Sequence, residues 1–238
     1  MTSHKVPLRK NISEATVGLI SYYICKLLVR TTITPNQITF ISGIFGIIGA
    51  YLLTLNYYKY TFLAGIFILL FTIFDGVDGD IARMKNMQSF FGQWLDIQFD
   101  KLNDVLIISG LAYGLFNKTN NYTFLVLGIV LMGLIYLIQF SMTVNSKIYK
   151  SAKNKVEKEK KNIINDFSQK ISFIKKFHNF FQRHLLLEHC TFLFLVSAFC
   201  FINKIEIGFY LLLFHGLITY IYMIFFGFMI LQVRYAES

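Results

Sequence analysis

Long apolar runs alternate with short polar links along this chain, and the runs carry helical periodicity. From Ile12 to Arg30 the residues Ile12, Thr16, Leu19, Ile20, Tyr23 and Leu27 recur on one side, while Lys10, Glu14, Ser21, Lys26 and Arg30 occupy others. That pattern predicts an amphipathic helix lying along a membrane surface. The segment Thr34-Pro35-Asn36-Gln37-Ile38-Thr39 then starts a new helix, with Thr34 as cap, Pro35 in the first turn and Gln37 at the capping-box position. This helix extends to Tyr57 and carries Gly43, Gly46, Gly49 and Ala50 on a shared side, a small-residue seam for close packing. Further helices are expected over Tyr60–Met84, Gly92–Phe116, Tyr122–Lys147, Leu185–Ile202 and Glu206–Val233. The stretch Lys150–Lys161 continues the fourth of these beyond its apolar part, and Asn117–Asn121 and Asn203-Lys204 are turns.

Composition turns these helices into membrane spans. With 55% hydrophobic residues, 26 Phe and 14 Tyr in 238 residues, the chain is too apolar for a soluble surface. The predicted fold is an all-α integral membrane protein with six transmembrane helices and an N-terminal interfacial amphipathic helix. Residues 1–33 form the N-terminal segment and residues 34–238 the six-helix domain, with a basic segment, 148–183, between its fourth and fifth helices. The net charge of +10 does not indicate nucleic acid, because the basic residues gather in blocks beside apolar spans. Eleven Lys or Arg lie between Lys147 and Arg183. Placing that segment, both termini and the link between the second and third spans in the cytoplasm satisfies the positive-inside rule. Cys25, Cys190 and Cys200 form no C-x-x-C pair, so neither a disulfide framework nor a zinc site is expected. The N-terminus lacks the continuous apolar core of a removable signal peptide.

The candidate chemistry sits where the apolar pattern is interrupted. Six of seven aspartates fall between Asp75 and Asp104, at the cytoplasmic ends of the second and third spans. Asp75 and Asp78 are three apart and Asp96 and Asp100 four apart, so each pair presents both carboxylates on one helix face. Four carboxylates in one space repel and require a cation, and Arg83 alone cannot neutralise them. All-oxygen donors suit hard divalent ions, and a pair of such ions suits phosphoryl chemistry. Gly79 and Ala82 leave room for a ligand at the helix backbone, and Gly92 clears the matching space before Asp96.

These residues spell D-x-x-D-G-x-x-A-R-x8-G-x3-D-x3-D, which resembles the signature of the CDP-alcohol phosphotransferase family at every fixed position. The likeness extends loosely to Thr34-Pro35-Asn36-x-Ile38-Thr39, to six spans and to the N-terminal helix. The resemblance implies a membrane phosphotransferase that moves a phosphoalcohol or phosphatidyl group from a CDP-linked alcohol or CDP-diacylglycerol donor to an acceptor alcohol, releasing CMP. It implies two divalent ions, Mg²⁺ or Mn²⁺, held by Asp75, Asp78, Asp96 and Asp100, with Asp100 also the general base. It places Asp75, Gly79, Ala82 and Arg83 at the CDP donor, with Asn36 and Thr39 beside them, in a homodimer embedded among membrane lipids. A divalent-cation channel or transporter using the aspartates as its ion site is the alternative of a different class.

Other polar residues carry less. Asp80 lies about 140° round the helix from Asp75, outside a shared metal shell. Asp104, one turn beyond Asp100 on the same face, reads as structural, and could orient the site or pair with Lys101. Arg183, His184, Glu188 and His189 read as solvated helix-end charges, with Arg183 best placed for a phosphate or headgroup. His215 and Glu206 have no partner identifiable from sequence.

Overall fold

The computed structural model describes residues 12–55, 57–158, 176 and 189–235, and every described element is helical. In chain order these are α1 (Ile12–Leu28), α2 (Pro35–Leu55), α3 (Tyr58–Met84), α4 (Phe90–Thr119), α5 (Thr123–Lys158), α6 (His189–Phe201) and α7 (Ile205–Tyr235). Four of them, α2, α3, α5 and α7, are long and apolar enough to cross a membrane. The third expected span, α4, is not among these four. Its first half carries Asp96, Asp100, Lys101 and Asp104. The fifth, α6, contributes 13 described residues.

Local chemistry sets the helix ends. At the start of α2 the expected capping box is formed: Thr34 N–H donates to Gln37 Oε1 at 2.9 Å, and Gln37 N–H approaches Thr34 Oγ1 at 3.4 Å. Ser89 caps α4 by accepting from Gly92 N–H at 3.0 Å. After α3, α4 and α6 the chain turns through Asn86, Asn120 and Asn203, each with φ of 54–55°. Asparagine tolerates this left-handed conformation because its short polar side chain bonds locally.

The described residues fall into two compact units, Met1–Met132 with Glu188–Leu212, and Gly133–Leu187 with Leu213–Ser238. In the first, α2 packs against α3 and α4, and α1 and α6 pack on α3. The glycine seam of α2 makes these contacts close. A Cβ on Gly43 would strike the Phe99 ring, one on Gly46 the Asn103 amide, and one on Gly49 would come 2.7 Å from Ile68. Gly110 of α4 lies against the Ala50 backbone carbonyl, a contact that leaves no space for a side chain. Helix α6 is seated on α3 at Gly65, whose missing Cβ would lie 2.8 Å from Cys200.

The orientation of α1 was only half legible. Leu19, Ile20, Tyr23 and Leu27, the residues of the expected apolar stripe, are exposed. Docking uses a different face, Val17, Ser21 and Cys25, which meets Val77 and Ile81 of α3. Cys25 Sγ donates to the Val77 carbonyl at 3.4 Å. Lys85 Nζ, just past α3, donates to the carbonyls of Thr31 and Ile33 at 2.7 Å and so ties down the link between α1 and α2. The cysteines carry no disulfide. In the second unit Tyr222, Met223, Phe226 and Ile230 form an apolar core, and Asn145 Nδ2 donates to the Met223 carbonyl at 2.9 Å.

Candidate active site

Three helices of the first unit supply the aspartates and their supports. The last turns of α3 carry Asp75, Asp78 and Asp80; the first half of α4 carries Asp96, Asp100 and Asp104; the start of α2 brings Asn36 and Thr39. Spacing of three and four residues brings each pair to one face, as the sequence predicts. The Asp75 carboxyl neighbours those of Asp100, Asp78 and Asp96 and makes direct carboxyl–carboxyl contacts with Asp100 and Asp96. Such contacts need a cation or a shared proton between the oxygens. Asp78 is buried, and Thr39 Oγ1 donates a short hydrogen bond to its Oδ2 while lying 3.2 Å from the Pro35 carbonyl. Thr39 thereby fixes one oxygen of Asp78.

Beside the aspartates opens a cleft of about 550 Å³. Asn36, Thr39, Asp78, Gly79, Ala82, Arg83, Gly92 and Asp96 line it, with Pro35, Ser89, Phe90 and the glutamines Gln88 and Gln93. All the residues expected at the donor site except Asp75 therefore share one cavity. Its volume is that of a small-molecule site. The Arg83 guanidinium lies over Gly79, 3.7 Å from where a Cβ would stand. Gly92 lets α4 approach α2, since a Cβ there would meet Asn36 Oδ1 at 3.0 Å.

Two residues take part that spacing alone did not assign. Asp80, off the shared aspartate face, is buried and pairs with Arg83 Nη2 at 2.6 Å, so it holds the guanidinium above Gly79. His189, expected to be a solvated helix-end charge, instead faces the cluster from the first residue of α6. Its Nδ1 is 2.9 Å from Asp104 Oδ1 and its Nε2 3.5 Å from Asp100 Oδ1. The Phe71 ring meets the imidazole edge to face at 6.0 Å. Both ring nitrogens and Asp100 Oδ1 are buried and make no hydrogen bond of regular geometry. Asp104 is fully buried, and its other oxygen lies 3.6 Å from Lys101 Nζ, the pairing foreseen from sequence. No sequence signal linked His189 to the aspartates, because 84 intervening residues separate it from Asp104. Arg183, His184 and Glu188 lie outside the described residues.

The donor set fits a divalent ion. One atom from each of Asp75, Asp100 and His189 lies within 4.8 Å of the others. The neighbouring cations Arg83 and Lys101 are engaged by Asp80 and Asp104. Clustered carboxylates with buried oxygens lacking hydrogen bonds are what an oxygen-seeking cation requires.

A family model described as CDP-alcohol phosphatidyltransferase matches residues 32–225. The chain belongs to this family. The matched span contains the whole cluster and the whole cleft. Archaetidylinositol phosphate synthase from Pyrococcus horikoshii is 36% identical over 89 residues, 37% of this chain and 46% of that protein. Phosphatidylinositol phosphate synthase from Corynebacterium glutamicum is 30% identical over 92 residues, 39% of this chain and 41% of that protein. The chain thus spans less than half the length of these curated relatives. The fold of this family member is similar to that of phosphatidylinositol phosphate synthase from Mycobacterium tuberculosis, crystallised with CDP-DAG bound. The TM-score is 0.57 at 17% identity, covering 88% of this chain and 94% of the other.

Proposed function

We propose that this protein is a membrane transferase that moves a phosphoalcohol or phosphatidyl group from a CDP-linked donor to an acceptor alcohol and releases CMP. The observation that carries this reading is the shared cleft: Gly79, Ala82 and Arg83 line it together with Asp78 and Asp96, joining the donor site to the carboxylate cluster. Asp75, Asp78, Asp96 and Asp100 would hold two divalent ions, Mg²⁺ or Mn²⁺. When bound, these ions supply charge neutralisation and polarise the phosphoryl group.

The chain's own residues account for the remaining steps. Arg83, held by Asp80, offers its guanidinium to the donor pyrophosphate, and Gly79 lets the phosphates approach the α3 backbone. Asn36 and Thr39 bound the cleft from α2, Thr39 also orienting Asp78. Asp100 accepts the proton of the acceptor hydroxyl. The acceptor oxygen then bonds to the phosphorus distal to cytidine, the bridging phosphorus–oxygen bond breaks, and CMP leaves with that electron pair.

Six spans, cytoplasmic termini, an active site facing the cytoplasm and a homodimer belong to the same reading, supported by the placement of basic residues and the family resemblance. The relatives' names make inositol phosphates natural members of an acceptor panel. The test uses purified protein in detergent or liposomes with a panel of CDP-linked donors and acceptor alcohols, reading CMP. The expected result is CMP release that needs both acceptor and added Mg²⁺ or Mn²⁺. Divalent-ion flux into liposomes with no CMP from any donor would overturn the reading.

A further inference from the structure

We propose that His189 is a nitrogen ligand of the metal site, shared with Asp75 and Asp100, and that buried Asp104 is the carboxylate that orients it. The inference rests on the reading that the cluster holds divalent ions, and adds to it a donor from a different helix and of a different chemical kind.

Metal-ligating histidines commonly turn their second ring nitrogen towards a carboxylate, which fixes the ring and raises its basicity. His189 has that arrangement. Nδ1 is 2.9 Å from Asp104 Oδ1, while Nε2 points into the cluster, 3.5 Å from Asp100 Oδ1. Nε2 is buried without a hydrogen bond, as is the Asp100 oxygen facing it. With Nδ1 turned to Asp104, Nε2 faces a carboxylate oxygen across 3.5 Å, an arrangement that either a proton on Nε2 or a cation between the two atoms compensates, and the experiment below separates the two. Asp75 completes the set, since donor atoms of the three residues lie within 4.8 Å of one another.

The surroundings support this role. Asp104 is divided between two partners, Oδ1 facing His189 and Oδ2 facing Lys101, so its charge is balanced without drawing on the cluster. Phe71, nearly fully buried on α3, presents its ring to the imidazole at an interplanar angle of 85°. The close seat of α6 on Gly65 sets the height at which His189 enters.

An imidazole donor changes which ions the site prefers. Oxygen-only donors leave Mg²⁺ and Mn²⁺ comparable, whereas nitrogen favours the transition metal. The site should therefore bind Mn²⁺ at least tenfold more tightly than Mg²⁺, with much of that margin lost on His189→Gln.

The test is pulsed electron paramagnetic resonance on tag-free, full-length protein loaded with Mn²⁺, without donor or acceptor. Wild type should show ¹⁴N coupling of an imidazole to Mn²⁺, and His189→Ala and His189→Gln should lose it while still binding Mn²⁺ through the aspartates. Asp104→Asn should weaken Mn²⁺ binding by about 10- to 100-fold. Size-exclusion profiles of the variants establish that they are folded. Bound Mn²⁺ without nitrogen coupling in wild type, or coupling that persists in His189→Ala, would overturn the proposal. Neither result depends on CMP release, so a protein that makes CMP but shows no coupling refutes the ligand alone. A protein that binds no Mn²⁺ under any condition refutes the metal site as a whole.

Discussion

Asp80 and Arg83 show how one side chain sets up another. Arg83 is largely exposed, with 58% of its side chain accessible, and a free guanidinium there would sample many directions. Buried Asp80, one turn earlier, holds it over Gly79. Asp80→Asn should raise the KM for the CDP-linked donor several-fold with a smaller effect on kcat, measurable by steady-state CMP release. Asp100→Asn should behave in the opposite way. It keeps the shape of the side chain and removes the proton acceptor, so turnover should fall by about 10²- to 10⁴-fold with donor binding retained. Turnover within tenfold of wild type would remove Asp100 from that role. Thr39→Val would release Asp78 Oδ2 from its hydrogen bond at nearly constant volume. The expected outcome is weaker Mg²⁺ or Mn²⁺ activation, read as a raised metal concentration at half-maximal rate.

Among the elements, α2 is the spine against which α3 and α4 align their aspartates. Gly110 faces the Ala50 backbone carbonyl, which cannot rotate away as a side chain could. Gly110→Ala should therefore cost about 1–3 kcal/mol of stability, seen as a lowered Tm in detergent. Much of this level was legible in the sequence. The Thr34–Gln37 box, the glycine seam and the boundaries of the long helices follow from local chemistry and period. What escaped was whatever depends on docking angle. The outward face of α1 is as apolar as its inner one, so periodicity did not reveal that Val17, Ser21 and Cys25 face α3. Helical spacing sets Asp80 off the Asp75 face, but its pairing with Arg83 depends on rotamers. His189 reaches the cluster only because α6 seats on Gly65, and no local pattern encodes that.

At the scale of the molecule, every described residue of the cluster and the cleft lies in one compact unit, Met1–Met132 with Glu188–Leu212. An ion that binds only the folded site stabilises it by mass action, about 2.7 kcal/mol at a hundred times its dissociation constant. Mn²⁺ should accordingly raise Tm and excess chelator reverse the shift. Asn145→Ala, in the other unit, removes the bond to the Met223 carbonyl and should lower Tm without changing dissociation constants for Mn²⁺. The cleft has a further property that no single side chain confers. Pro35 and Asn36 of α2 and Phe90 and Gly92 of α4 line it, so two helices open onto it with their N-terminal turns. Peptide dipoles make such ends partially positive, and their charge can be neither deprotonated nor mutated away. The cavity should thus retain residual affinity for CDP, detectable by calorimetry, even in Arg83→Ala: attraction for the anion is wired into the backbone.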